Sequence, residues 1–385
     1  MDMKPLPYRG PLEDYVAQAR ELLRAWEAGD DTAVQIVRAH HPRFTDPEIS
    51  WLPNRQQSDD EARRAKLDLA DIQEAVARAY NFLDWASLVE YVGAVRTDGS
   101  PVHLFESAVE AVVNGDLDAL QSLLREYPHL IRARSTRVCC FDPPRHRATL
   151  LHYVAANGVE NNRQKTPKNA VEIARALLQA GAEPDSVAYL YGGECTTMSL
   201  LVSSNHPAGA GLQVALVDLL ADFGAAVEPH GSGNWNSPLM TALVFGYLDA
   251  AQALVRRGAR VDNVSAAAGL GLVEETRRML ANASREDRHR ALALAAQLGH
   301  ADVVRLLLDV GEDPNRYNPP GGHTHSTPLH QAALAGHDAV VRLMVERGAR
   351  LDIRDKIYNA TPLGWALHAG HAQVADYLRA QGAPE

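Results

Sequence analysis

The side chains best placed to do chemistry stand in Asn318-Pro-Pro-Gly-Gly-His-Thr-His-Ser326, where His323 and His325 are two positions apart. In an extended segment both imidazoles point to one face, with about 7 Å between their α-carbons, near enough to share a metal or a phosphate. Two ligands fall short of the three or four protein ligands of a zinc site. A hydrogen-bonding role is therefore the simpler expectation, and neither a metal nor a cofactor is assigned. Cys195, followed by Thr196 and Thr197, sits where a helix should begin, and a helix N-terminus favours a thiolate. A nucleophile also needs a base in reach; His146 and His152 are the ones that spacing allows, and a small buried residue is the plainer reading. Glu194 and Asp355 are available carboxylates, but no acid pair has the spacing that glycoside chemistry requires. The phosphate-binding glycine loops, the nucleophile elbow and the His-Glu-x-x-His zinc motif are all missing from the sequence.

Histidine is abundant, 16 of 385 residues, while 46 % hydrophobic and 22 % charged residues are ordinary globular usage. Disorder, collagen and coiled coil are excluded. A net charge of −10, from 38 basic and 48 acidic residues, gives no global field for a phosphate backbone, so nucleic acid is not an expected partner. No apolar run reaches the roughly 18 to 20 residues of a membrane span. The opening Met-Asp-Met-Lys-Pro-Leu lacks the order of a secretory signal, so a cytoplasmic location without membrane association is expected. Cys139, Cys140 and Cys195 are an odd set in a long chain, read as reduced thiols rather than a disulfide framework.

What must position these side chains is a repeat. Ser326-Thr-Pro-Leu-His-Gln-Ala-Ala-Leu-Ala-Gly-His337 recurs as Ala360-Thr-Pro-Leu-Gly-Trp-Ala-Leu-His-Ala-Gly-His371, each followed by an amphipathic segment ending in Gly-Ala. Thr caps the first helix, Pro suits its first turn, and Gly takes the left-handed conformation that ends it. The unit resembles the ankyrin repeat, with its Thr-Pro-Leu-His opening and its Gly-His between helices. Following the inter-helix position backwards gives Gly370, Gly336, Gly299, Gly271, Gly246, Asn205, Gly158 and Gly115, or about eight units. Apolar residues such as Val303, Leu306, Leu307 and Val310 keep helical spacing in the second helices.

Unequal spacing predicts where loops grow or vanish. The units at Gly271 and Gly299 are short and should lack most of their hairpin finger, whereas extra residues near Asn161–Lys168 should form an exposed insertion. Longer fingers are expected at Tyr189–Cys195, His230–Asn236, Arg316–Ser326 and Ile353–Ala360. Residues 1–100 do not match the repeat. Leu12–Glu27, Thr32–His40, Arg63–Tyr80 and Trp85–Val92 read as helices, and a stack needs an end element over its first apolar face. The stretch from Leu69 to Leu88 resembles the helical leader of bacterial ankyrin-repeat proteins. The expected fold is thus an all-α ankyrin-repeat solenoid over 101–385 with a helical N-terminal cap over 1–100.

The resemblance implies that finger tips and exposed first-helix residues line a concave groove. It also implies that His152 and His330, after Leu, and His206, His300, His337 and His371, after the inter-helix residue, are structural. The remaining lining gives the expected binding residues: His146, Tyr153, Tyr191, Trp235, His289, Tyr317, His323, His325, Tyr358, Trp365 and His368. Such a mixture of aromatic and polar groups suits a binding hot spot or a small-molecule cleft. The resemblance implies a module that binds a protein or peptide; an enzyme or small-molecule receptor using the same groove is the alternative.

Overall fold

The computed structural model describes residues 5–46, 52–54, 56–140, 142–158, 160–232 and 236–384. Residues 1–225 with 230–236 form one compact unit, and residues 226–229 with 237–385 form a second. Both are built from helix pairs, eight in all among the described residues.

The second unit shows most plainly how the sequence makes a pair. Thr327 and Thr361 are the cap residues before Pro328–Leu334 and Pro362–His368, each with proline in the first turn. His330 then acts as a strut: Nδ1 lies 2.8 Å from Thr327 Oγ1, and Nε2 reaches the Ala360 carbonyl of the next finger at 3.2 Å. In the first unit His152 repeats this with Thr149 and the Cys195 carbonyl, at 2.8 and 3.3 Å. The second histidine of the motif has a different task. His300, His337 and His371 reach back from Nε2 to the carbonyls of Gly269, Gln297 and Leu334 at 2.9, 2.9 and 3.0 Å. Their rings lie over Gly271, Gly299 and Gly336, where an added Cβ would come within 2.7, 2.7 and 2.6 Å of Nδ1. These glycines thus serve twice, through positive φ and through the room they leave for the next pair's imidazole.

Behind the struts, Val303, Leu307, Val340, Val341, Met344, Val374 and Leu378 are fully buried or nearly so, each side chain contributing about 1.5–3 kcal/mol by leaving water. The short spacing at Gly299 has an unexpected solution. Where a lost finger was expected, the chain forms a long helix, Arg285–Gln297, started by Ser284, whose hydroxyl accepts the Asp287 N–H. His289 is therefore a helical residue rather than a finger residue.

In the first unit the leader forms helices Leu12–Glu27, Asp31–His40, Asp59–Arg63, Leu69–Ala79 and Trp85–Arg96. Tyr15, Leu22, Trp26, Val34, Phe44, Ile72, Phe82 and Leu88 give it a core of its own. The helix expected over Arg63–Tyr80 is interrupted, because Asp68 caps a new one by accepting the N–H groups of Ala70 and Asp71. Three helix pairs follow, together with one antiparallel hairpin, Val187–Leu190 with Gly193–Thr196. Tyr191 and Gly192 at its tip have φ of 55° and 74°, the paired positive values of a tight two-residue hairpin turn. Asn205, expected in left-handed conformation, instead begins the helix Asn205–Gly209, and Gly211 takes the positive φ of 70°. No helix among the described residues is long and apolar enough to cross a membrane.

Candidate functional site

Asp355 organises the finger before the last helix pair. Its carboxylate accepts the backbone N–H groups of Ile357, Tyr358 and Ala360 at 2.9, 2.7 and 2.9 Å, and Trp365 Nε1 at 3.1 Å. Burial alone would raise its pKa; the bonds from Tyr358, Ala360, Trp365 and Ile357 outweigh that and hold it below the ordinary carboxylate value. The charged acid pins the loop. Tyr358 consequently stands 65 % exposed on a segment with little freedom.

Beside it lies a cleft of about 560 Å³, lined by His323, His325, Tyr358, Trp365 and His368, with Leu334, Gln331, Ala360 and Gly364 completing the wall. The His325 ring is central, 5.6 Å from Trp365, 6.4 Å from Tyr358 and 6.1 Å from His323 between centroids. Trp365, 8 % exposed, is braced edge-on by the His330 strut at 5.2 Å. Burial lowers the pKa of both His323 and His325, favouring the neutral imidazole. Their roles differ. His323 has φ of 47° and its Nε2 lies 3.0 Å from the Val244 carbonyl, which makes it a strut. The His325 ring makes no hydrogen bond to a described residue, and His368 is exposed. The extended finger that was to let the pair share a metal is not formed, since the left-handed His323 turns the chain and its Nε2 is engaged. What remains is a half-open apolar and aromatic cleft edged by two available imidazoles, suited to receive a large side chain and offer it hydrogen bonds.

Five of the expected binding residues thus come together: His323, His325, Tyr358, Trp365 and His368. Within the same unit, Tyr317 and His289 do not line the cleft. Tyr317 is pinned between fingers, its hydroxyl donating to the Arg354 carbonyl at 2.7 Å and its ring lying 4.1 Å beneath the Lys356 ammonium. His289 is fully buried with Nε2 3.2 Å from the Arg316 carbonyl. Tyr191, in the first unit, is exposed at the hairpin tip, its hydroxyl 3.2 Å from Asn157 Oδ1. Trp235 lies outside the described residues. His146 and Tyr153, expected on a binding surface, are buried in the first unit. Cys195 is buried as well; its burial pushes the thiol up to about 11, which removes the thiolate that nucleophilic chemistry would need.

His146 and Tyr153 belong to a polar network that sequence reasoning missed. Within residues 161–168, expected as an exposed insertion, Asn161, Lys165 and Lys168 are exposed, but the Arg163 side chain turns inward to Glu160, just before the segment. Glu160 meets Arg137 Nη1 and Arg163 Nη1, each at 2.9 Å, and accepts the Tyr153 hydroxyl at 2.9 Å. Arg163 also pairs with Glu106, and with Glu110 at 2.9 Å. Arg137 donates to the Tyr80 carbonyl and stacks 3.9 Å over Phe82. Burial alone would raise the Glu160 pKa, but the two guanidiniums hold it charged, well below the ordinary range. One signal was present: Glu106 interrupts the apolar run of Pro101–Asn114, and a buried acid there demands a cation.

Cys139, His146 and Glu160 bring ligand-type atoms within 4.8 Å of one another, all buried. The donor set does not suit a metal. His146 Nδ1 accepts the Ala148 N–H at 3.1 Å, so Nε2 carries the proton and faces Glu160 Oε1 at 3.7 Å. Burial pushes the Cys139 thiol up, keeping it protonated, and both Glu160 oxygens are engaged.

The family model for ankyrin repeats (three copies) matches residues 292–384, which include the whole cleft. The chain is 36 % identical over 126 residues to human cyclin-dependent kinase 4 inhibitor B, covering 32 % of this chain and 88 % of that protein. It is 36 % identical over 98 residues to mouse ankyrin repeat and SAM domain-containing protein 6, covering 26 % of this chain but only 11 % of that protein. Among solved structures it is similar to the human ASB11 ankyrin repeat domain, at 21 % identity and a TM-score of 0.36, over 72 % of this chain and 98 % of the other. These relatives are human and murine, so the bacterial part of the resemblance draws no support from them.

Proposed function

Since the chain belongs to the ankyrin-repeat family, whose repeats are protein-interaction modules, we propose that it binds a protein or peptide partner through the cleft of His325, Tyr358, Trp365 and His368. The observation that carries this reading is the pinned loop under Tyr358: an exposed aromatic whose backbone is fixed by Asp355 costs less loop ordering on binding. Trp365 forms the floor, and Leu334, exposed at the rim, extends the apolar contact. A catalytic groove is less favoured, because the carboxylate beside the cleft, Asp355, is engaged by loop amides and His323 by the Val244 carbonyl, which leaves His325 and His368 without an acidic partner among the described residues.

In the same reading residues 1–100 cap the first repeat of a domain that runs from 101 to 385, supported by the leader's separate core. A cytoplasmic, bacterial setting also belongs to it, supported by three unpaired cysteines and the likeness of the Leu69–Leu88 segment to bacterial leaders. The test is positional. Peptides selected from a display library against the full chain should crosslink to a photoreactive residue placed at Leu334 and not to one at Val310, which is 53 % exposed outside the cleft. Equal labelling at both positions would refute the location.

A further inference from the structure

The first unit holds a cavity of about 410 Å³ whose lining includes four arginines and two glutamates, a volume within the roughly 300–1,000 Å³ of small-ligand sites. Arg134, Arg137, Arg145 and Arg147 all contribute, against Glu90 and Glu106. The charges are not equally available. Glu106 is already paired with Arg163. Arg134 is fixed by donating from Nη1 to the carbonyls of Arg147 and Val187, at 2.9 and 2.6 Å. Arg137 is buried and bound to Glu160, yet its Nε has no partner among the described residues. The Arg145 and Arg147 side chains are exposed and make no hydrogen bond or ion pair with a described residue. In a chain of net charge −10, a concave patch with this surplus of guanidinium inverts the overall sign, and low-dielectric walls focus such a field.

Ala94, Val102 and Val138 supply an apolar, partly exposed wall beside the arginines. Two unengaged guanidiniums offer forked donors and two positive charges, which match the geometry and charge of a phosphate dianion. The geometry points to a binding site for a small organic phosphate monoester, its phosphate on Arg145 and Arg147 and its organic part against Ala94, Val102 and Val138. Arg134 and Arg137 set the field behind it. The site is separate from the peptide cleft and does not depend on that reading.

Calorimetric titration of the full chain with adenosine monophosphate, phenyl phosphate, inorganic phosphate and a glutamate-rich peptide tests it. The organic phosphates are expected to bind more tightly than inorganic phosphate. The Arg145→Ala, Arg147→Ala double variant should weaken them at least about tenfold, with its melting midpoint unchanged because both side chains are exposed. Glu90→Gln, which removes a rim charge of the wrong sign, should tighten them by about threefold. Failure of both organic phosphates to bind, affinity unaltered in the double variant, or binding of the glutamate-rich peptide alone would each overturn the proposal.

Discussion

Two clusters in this chain share the same vocabulary of histidine, tyrosine and carboxylate and put it to opposite uses. Around Glu160 in the first unit the charged groups turn inward on one another: two arginines on one carboxylate oxygen and a tyrosine hydroxyl on the other. Around Asp355 in the second unit the acid is equally occupied, but by backbone amides and one indole, and the cleft beside it keeps Tyr358 exposed over the buried Trp365. The presence of chemically capable residue types therefore does not locate a site. What locates it is which donors and apolar faces remain open once the internal bonds are made.

The largest expected effect breaks the first cluster. Glu160→Ala leaves Arg137 and Arg163 buried without their shared counter-charge and should cost about 3–5 kcal/mol in denaturant unfolding. A loss below about 1 kcal/mol would mean that water or relaxation replaces the acid, and the network would not be the structural lock described. Next comes the stacking that supports the second cluster. Gly336→Ala meets the His371 ring and a positive φ together, whereas Gly348→Ala meets a positive φ of 87° with nothing within 4 Å. The first should destabilise by about 2–4 kcal/mol and the second by about 1–2 kcal/mol; equal losses would remove the fitted role of the imidazole.

Acid pH sharpens the contrast between struts and cleft. Burial lowers the folded-state pKa of His330 to about 4 and of His152 to about 3, from an ordinary 6.5. The unfolded chain takes up these protons first, so their contribution is whole above about 6.5 and is lost as pH falls toward 4 and then 3. Thermal midpoints measured across that range should fall with acid, and the fall should be shallower in His330→Asn. The smallest effect on stability is expected at the cleft rim: Tyr358→Ala should change the unfolding free energy by no more than about 0.5 kcal/mol, as read by urea titration, although it removes the principal contact surface.

Much of this architecture is legible in the residues themselves. The Thr-Pro-Leu-His opening and the Gly-His step carry the whole helix pair, because cap, first turn, left-handed stop and strut are each local. The cleft is legible in part: His323, His325, Tyr358, Trp365 and His368 fall at finger and first-helix positions of adjacent repeats, and stacking brings them together. His289 was misplaced because short spacing reads equally as a missing loop or as a helix that absorbs it, and the Ser284 cap decides for the helix. The Glu160 network was only faintly legible, through the single acid Glu106 inside the apolar run of Pro101–Asn114. An insertion rich in Asn, Lys and Arg looks solvated, and most of it is; the inward turn of the Arg163 side chain depends on Glu160 and on Glu106, the latter far away in the chain.

One paired measurement tests the contrast most directly: the affinity of a display-selected peptide and the melting midpoint, determined side by side for the full chain, Tyr358→Ala and Glu160→Gln. The expected result is a crossed pattern. Tyr358→Ala loses at least about tenfold in affinity at an unchanged midpoint, while Glu160→Gln melts earlier and, below its midpoint, binds as the parent does. Undiminished affinity in Tyr358→Ala would contradict the assignment of the cleft as the binding surface.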